Sequence, residues 1–74
     1  MADSDKEKVE QLIQDGLAYH DAGEVEQARD AYLQALELEP ENAKTLDLAG
    51  LLCMQCGEPG AAEEFYSSAV KIEP

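Results

Sequence analysis

The chain has 74 residues, enough for one small domain, and its apolar content of 45% is typical of a chain that folds. Seventeen acidic residues against five basic ones give a net charge of −12. A chain this acidic lacks the basic surface through which proteins bind nucleic acids and anionic membranes. We therefore expect no nucleic-acid partner and no membrane partner, but a protein or peptide that is basic or apolar.

The first of four predicted helices starts from a capping-box pattern, in which Ser4 precedes Glu7 by three residues. We predict that this helix begins near Asp5 and ends near Ala22. Apolar and small residues recur along it at spacings of three and four, which is typical of one helical face. Gly23 follows at the position where a left-handed residue ends many helices.

The second helix is predicted from about Glu24 to Leu38. Its apolar residues again share one side, and acidic residues in its first turn suit the positive end of the helix dipole. Pro40 ends it, because proline lacks a backbone N–H and disfavours helix in the residue before it.

Asn42 is predicted to cap the third helix, and Gly57 to end it. Pro59 suits the first position of the fourth helix, where its missing N–H costs nothing. That helix is predicted to continue to Pro74. Since no segment shows the alternation of a strand, the sequence predicts an all-α fold of two antiparallel helix pairs.

Ten residues of the first half recur 34 positions later in the second half. The ten are Leu12, Gly16, Leu17, Gly23, Glu24, Ala28, Tyr32, Ala35, Glu39 and Pro40, which recur as Leu46, Gly50, Leu51, Gly57, Glu58, Ala62, Tyr66, Ala69, Glu73 and Pro74. A constant period of this size predicts stacked helical repeats. Surfaces built from stacked repeats usually bind other molecules.

These repeated residues resemble the tetratricopeptide repeat family, whose unit is a helix–turn–helix of about 34 residues. The small positions of the family motif are retained in both units, as is the aromatic residue of the second helix, Tyr32 and Tyr66, but three other positions depart from the motif. Leu12 and Leu46 stand where the family favours tryptophan, and Cys53 replaces the tyrosine that Tyr19 retains. The leucine that the family has just before the glycine is replaced by Asp15 in the first unit and by Ala49 in the second.

The resemblance implies two units stacked as a fragment of an α–α superhelix. We expect an acidic N-terminal segment and helix cap over residues 1–8, a first repeat over residues 9–42, and a second repeat with an uncapped end over residues 43–74.

In the family, the first helix of each unit lines a concave face that binds a peptide or a partner helix. The resemblance places ten residues on that face: Glu10, Ile13, Leu17, His20, Asp21, Lys44, Asp47, Leu51, Met54 and Gln55. One branch of the family binds C-terminal carboxylates with basic and amide side chains. That function is disfavoured here because Ile13, Leu17 and Leu51 occupy the corresponding places.

The pattern Cys53-Met54-Gln55-Cys56 has the spacing of a metal or redox site. Zinc normally needs four ligands, and His20 is the only further soft ligand, so we expect no metal. Cys53 is instead predicted to pack as a small buried hydrophobe. No nucleophile–base set or phosphate loop is present in the sequence, and we expect no catalysis and no cofactor. Without a secretory signal or a disulfide framework, the chain is expected to be cytoplasmic.

The last helix carries Phe65, Val70 and Ile72 at the uncapped end of the repeats. We expect these residues to mediate self-association, with a homodimer as one outcome, or to meet further repeats. The sequence thus predicts a non-enzymatic protein-interaction module. Two alternatives stay open, namely a non-catalytic arm of a larger enzyme such as a glycosyltransferase and a structural spacer without a ligand.

Overall fold

The computed structural model describes the backbone of residues 2–72 and the side chains of residues 5–72. Over this range the chain forms four helices and no strand, which confirms the predicted all-α fold. The helices are α1 (Ala2–Asp21), α2 (Val25–Leu38), α3 (Ala43–Gln55) and α4 (Pro59–Ile72). Two predicted features, the Ser4 side-chain cap and Pro74 at the end of the second repeat, lie outside the described residues.

The predicted start of the first helix near Asp5 is wrong, because α1 already begins at Ala2. The segment before Asp5 contains neither glycine nor proline to interrupt a helix. Several acids also stand near its N-terminus, where negative charge interacts favourably with the helix dipole. The serine of the capping box therefore lies within the helix.

Two glycine turns fold the chain into antiparallel pairs, α1 with α2 and α3 with α4. Gly23 has φ of +82° and Gly57 has φ of +78°, in the left-handed region that side chains disfavour. In each turn the residue after the glycine donates its N–H to a carbonyl five residues earlier, at 2.8 Å. This is the Schellman ending, and it confirms the predicted helix stop at Gly23 and Gly57.

The connection between the two units is closed by Asn42. Its Oδ1 accepts from the backbone N–H of Thr45 at 2.9 Å, which confirms the predicted cap of α3. Its Nδ2 donates to Glu39 Oε1 at 3.0 Å. Since Pro40 prevents α2 from continuing, this short turn starts α3 beside α2.

A glycine on the first helix of each unit allows the second helix to approach closely. A Cβ on Gly16 would lie 2.7 Å from Tyr32 Cδ1, and one on Gly50 would lie 3.0 Å from Tyr66 Cδ1. Both distances are shorter than carbon atoms adopt in ordinary packing. The same close contact between a glycine and a tyrosine therefore occurs once in each unit.

The core consists of three apolar clusters, one within each unit and one between them. Val9, Ile13 and Ala35 are buried within the first unit, and Ala43, Leu46 and Ala69 within the second. The cluster between the units, which we call the junction cluster, joins α2 to α3 through Ala28, Tyr32, Ala49 and Leu52. This junction fixes the second unit against the first and so determines which helix faces are left exposed.

Candidate functional site

The residues predicted on the concave face lie on α1 and α3, the first helices of the two units. Three of the apolar ones are exposed, namely Leu17 at 39%, Leu51 at 43% and Met54 at 54%. The polar ones are exposed as well, apart from the half-buried His20: Glu10, Asp21, Lys44, Asp47 and Gln55. We call these nine residues the concave surface, after the face on which the resemblance predicts them.

Ile13 belongs to the predicted set but not to this exposed surface. Only 6% of it is accessible, and it packs in the core cluster of Val9 and Ala35. The cause is the orientation of α1, which directs this residue at α2 rather than at solvent. Ile13 therefore stabilises the first unit and offers little area to a ligand.

A contact between the units brings the α1 and α3 parts of the concave surface together. His20 Nε2 donates a hydrogen bond to Gln55 Oε1, and both residues were predicted on this face. Deeper in the junction, Leu48 of α3 packs against the cluster that holds Val9 and Ile13 of α1. Leu17 lies one turn before His20, and Leu51 lies one turn before Gln55. The two leucines are thus held on adjoining helices.

The charges on the concave surface are mostly negative. Glu10, Asp21 and Asp47 are exposed, and Lys44 is the basic residue among them. Because the whole chain carries a net charge of −12, the potential around this face is negative as well. Exposed leucine and methionine side chains therefore lie among carboxylates on this surface.

The three residues predicted for self-association do not form one patch. Phe65 is half-buried and packs against the junction cluster. Ile72 is half-buried and packs against Ala43 and Leu46 within the second unit. Val70, by contrast, is 62% exposed. Phe65 and Ile72 therefore share the inward side of α4, since both pack against the cluster of the second unit, whereas Val70 faces elsewhere.

Val70 lies on a broad groove formed by α4 and the end of α3. Its apolar residues are Met54, Pro59, Ala62, Tyr66 and Val70. Glu63, Ser67 and Lys71 add polar groups along the same side of α4. We call these eight residues the end surface.

Most of the end surface was missed by sequence reasoning, although the repeat itself carried a signal for it. Pro59, Ala62 and Tyr66 correspond, 34 positions earlier, to Val25, Ala28 and Tyr32. In the first unit those three residues contact α3. Shifting that contact set by one repeat would have identified the end surface.

The C-x-x-C pair is packed into the fold rather than displayed on it. Cys53 is 5% exposed, which confirms its predicted packing role, and this burial raises the pKa of its thiol. Cys56 is half-buried and contacts the junction cluster. In the part of the chain that the structure describes, no three side chains among histidine, cysteine, aspartate and glutamate cluster as metal ligands.

None of the helices between residues 2 and 72 combines the length and the apolar character needed to cross a bilayer.

Comparison with known protein families gives two overlapping matches. The family described as TPR repeat matches residues 16–57. The family described as Tetratricopeptide repeat matches residues 43–74. No curated protein matches the chain.

Proposed function

Because the chain belongs to the tetratricopeptide repeat family, we propose that it is a non-catalytic module that binds a protein partner on its concave surface. Repeats of this family generally mediate protein–protein interaction. The observation that carries the proposal is the exposure of Leu17 and Leu51 on helices joined by the hydrogen bond between His20 and Gln55.

The proposed partner is an extended peptide or a helix with apolar and basic side chains. Leu17, Leu51 and Met54 supply apolar anchors, whose burial provides the driving force for association. The surrounding carboxylates favour lysine or arginine at the rim of the contact, where charge mainly accelerates association and selects the partner.

A peptide selected on this protein from a random peptide library provides the test. Leu17→Lys and Leu51→Lys each replace an apolar anchor by a charge that repels a basic ligand, and each should weaken binding at least about tenfold. Leu38→Lys is the matched control, because Leu38 is 37% exposed on α2 and lies outside the concave surface. Unchanged affinity in both variants, with the helical spectrum retained, contradicts the proposal and favours a spacer.

A second proposal concerns self-association through the end surface, and the distribution of charge on α4 supports it. Glu63 and Lys71 each lie four residues from Ser67, on opposite sides of it. In an antiparallel pairing of two α4 helices about Ser67, Glu63 of one copy faces Lys71 of the other. Tyr66 and Val70 lie within the same contact and supply its apolar area.

Light scattering over a range of protein concentrations tests this dimer. Val70→Glu should convert it to a monomer, whereas Leu38→Glu, at a comparable exposed leucine outside the end surface, should not. Glu63→Lys should also weaken the dimer, and adding Lys71→Glu should restore it by exchanging the charges. A monomer at every concentration of the unmodified protein contradicts the proposal.

A further inference from the structure

A cleft of about 140 Å³ lies where the two units meet, away from the concave surface. Its apolar lining comes from α2, α3 and α4: Leu33, Ala49, Leu52, Cys53, Ala61 and Phe65. Arg29 and Glu58 complete the lining, and their side chains are 39% and 49% exposed. We call this the junction cleft.

The internal repeat shows which side chain occupies the equivalent place in the first unit. Cys53 corresponds to Tyr19, 34 positions earlier. Three further pairs of equivalent residues line both places: Asp15 and Ala49, Gln27 and Ala61, and Ala31 and Phe65. The first unit also has a cleft at this place, of about 300 Å³, and the ring of Tyr19, 38% exposed, lies in its lining where the second unit has a thiol.

The two side chains differ in size. A thiol reaches one heavy atom beyond Cβ, whereas a tyrosine carries a phenol ring from the same carbon. In the second unit the surroundings are also less polar, because Ala49 and Ala61 stand where the first unit has Asp15 and Gln27. Apolar cavities of about 150 Å³ bind a benzene ring. The junction cleft therefore has the size and the lining that suit one aromatic ring.

We propose that the junction cleft binds an aromatic side chain of a protein partner, packed against Cys53, the position at which the first unit carries the ring of Tyr19. Leu33, Leu52 and Phe65 would contact the faces and edge of the ring. At the mouth, Arg29 Nη2 donates to Glu58 Oε2 at 2.7 Å. This pair can hydrogen-bond a tyrosine hydroxyl, and the guanidinium also favours an aromatic face.

The site is separate from the concave surface, since the two share no residue. It adds a second recognition point on the α2 and α4 side of the molecule. A partner with an aromatic anchor could engage it whether or not the concave surface is occupied.

The probe for the test is p-cresol, which reproduces the tyrosine side chain, titrated into isotope-labelled protein. We expect saturable amide shifts at the residues of the junction cleft, with a dissociation constant on the order of 1 mM. Cys53→Tyr should abolish these shifts by filling the cleft from within, whereas Leu17→Lys, which lies outside the cleft, should leave them unchanged. Absence of saturable shifts at the cleft overturns the proposal, as does undiminished binding by a folded Cys53→Tyr variant.

A second measurement keeps the proposal testable if Cys53→Tyr does not fold. In the Cys56→Ser background, p-cresol should slow alkylation of the Cys53 thiol in proportion to occupancy of the cleft. Cyclohexanol, a ring alcohol without aromatic character, should protect at least about fivefold less at equal concentration. Equal or better protection by cyclohexanol rejects an aromatic occupant and indicates an aliphatic one.

Discussion

We expect alanine substitution of Gly16, Gly50 and Gly60 to change the stability of the protein by different amounts, because the added methyl group meets different surroundings at each glycine. In Gly16→Ala the new methyl group lies 2.7 Å from Tyr32 Cδ1, and Tyr32 is fully buried. Because the ring is fully buried, it cannot turn out into solvent, and we expect the helices to separate. In Gly50→Ala the corresponding ring belongs to Tyr66, which is half-exposed and can move outward.

The magnitude follows from two opposing contributions. Overpacking a buried site costs about 1–3 kcal/mol, and replacing glycine by alanine within a helix recovers up to about 1 kcal/mol. The two contributions together span a loss of about 0–3 kcal/mol, and because Tyr32 is fully buried we expect Gly16→Ala to fall in the middle of this range, at about 1–2 kcal/mol, which corresponds to about 4–16 °C in Tm for a domain of this size. Gly50→Ala should cost less than about 1 kcal/mol because its tyrosine can relax.

Gly60→Ala is the matched control, since no atom lies within 4 Å of the added methyl group. It should leave stability unchanged or raise it by up to about 1 kcal/mol. Urea denaturation followed by circular dichroism gives the three free energies. Equal effects at Gly16 and Gly50, or a stabilised Gly16→Ala variant, would refute the reasoning that burial of the tyrosine decides the cost.

Three further predictions concern buried and paired polar groups. Burial raises the pKa of Cys53 above its ordinary 9.0 and that of Tyr32 above 10.0. Above pH 9 the unfolded chain loses these protons at a lower pH than the folded chain does, so the free energy of unfolding should fall as pH rises. In urea titrations at several pH values, Cys53→Ala should remove the part of that fall that begins at the lower pH. Tyr32→Phe should stabilise the protein by about 1 kcal/mol in thermal melts, because its hydroxyl is buried and has no hydrogen-bond partner among the described residues; a destabilised variant would reveal a missing partner. Arg29→Ala should cost only about 0.2–1 kcal/mol, and less at high salt, because its ion pair with Glu58 is exposed.

The sequence predicted those parts of the fold that depend on single local residues. Gly23, Asn42 and Pro59 each act on the backbone beside them, so the turns and the starts of α3 and α4 could be placed to the residue. The start of α1 could not, because a capping box also fits within a longer helix when no helix breaker precedes it. Ser4 is such a case.

The candidate surfaces were harder to predict because they depend on how each helix is rotated against its neighbours. Ile13 shares a helical face with Leu17 in the sequence, yet it is buried while Leu17 is exposed. Phe65 and Val70 are five residues apart on α4 and face different sides of the molecule. The equivalent of Phe65 in the first unit, Ala31, also faces inward and is 5% exposed.

Mapping of amide chemical shifts on binding a library-selected peptide tests the central claim most directly, namely that the concave surface recognises the partner. Our account predicts that the largest changes fall on α1 and α3 around Leu17, His20, Leu51 and Gln55. Changes confined to α2 and α4, with these four residues unaffected, would contradict it.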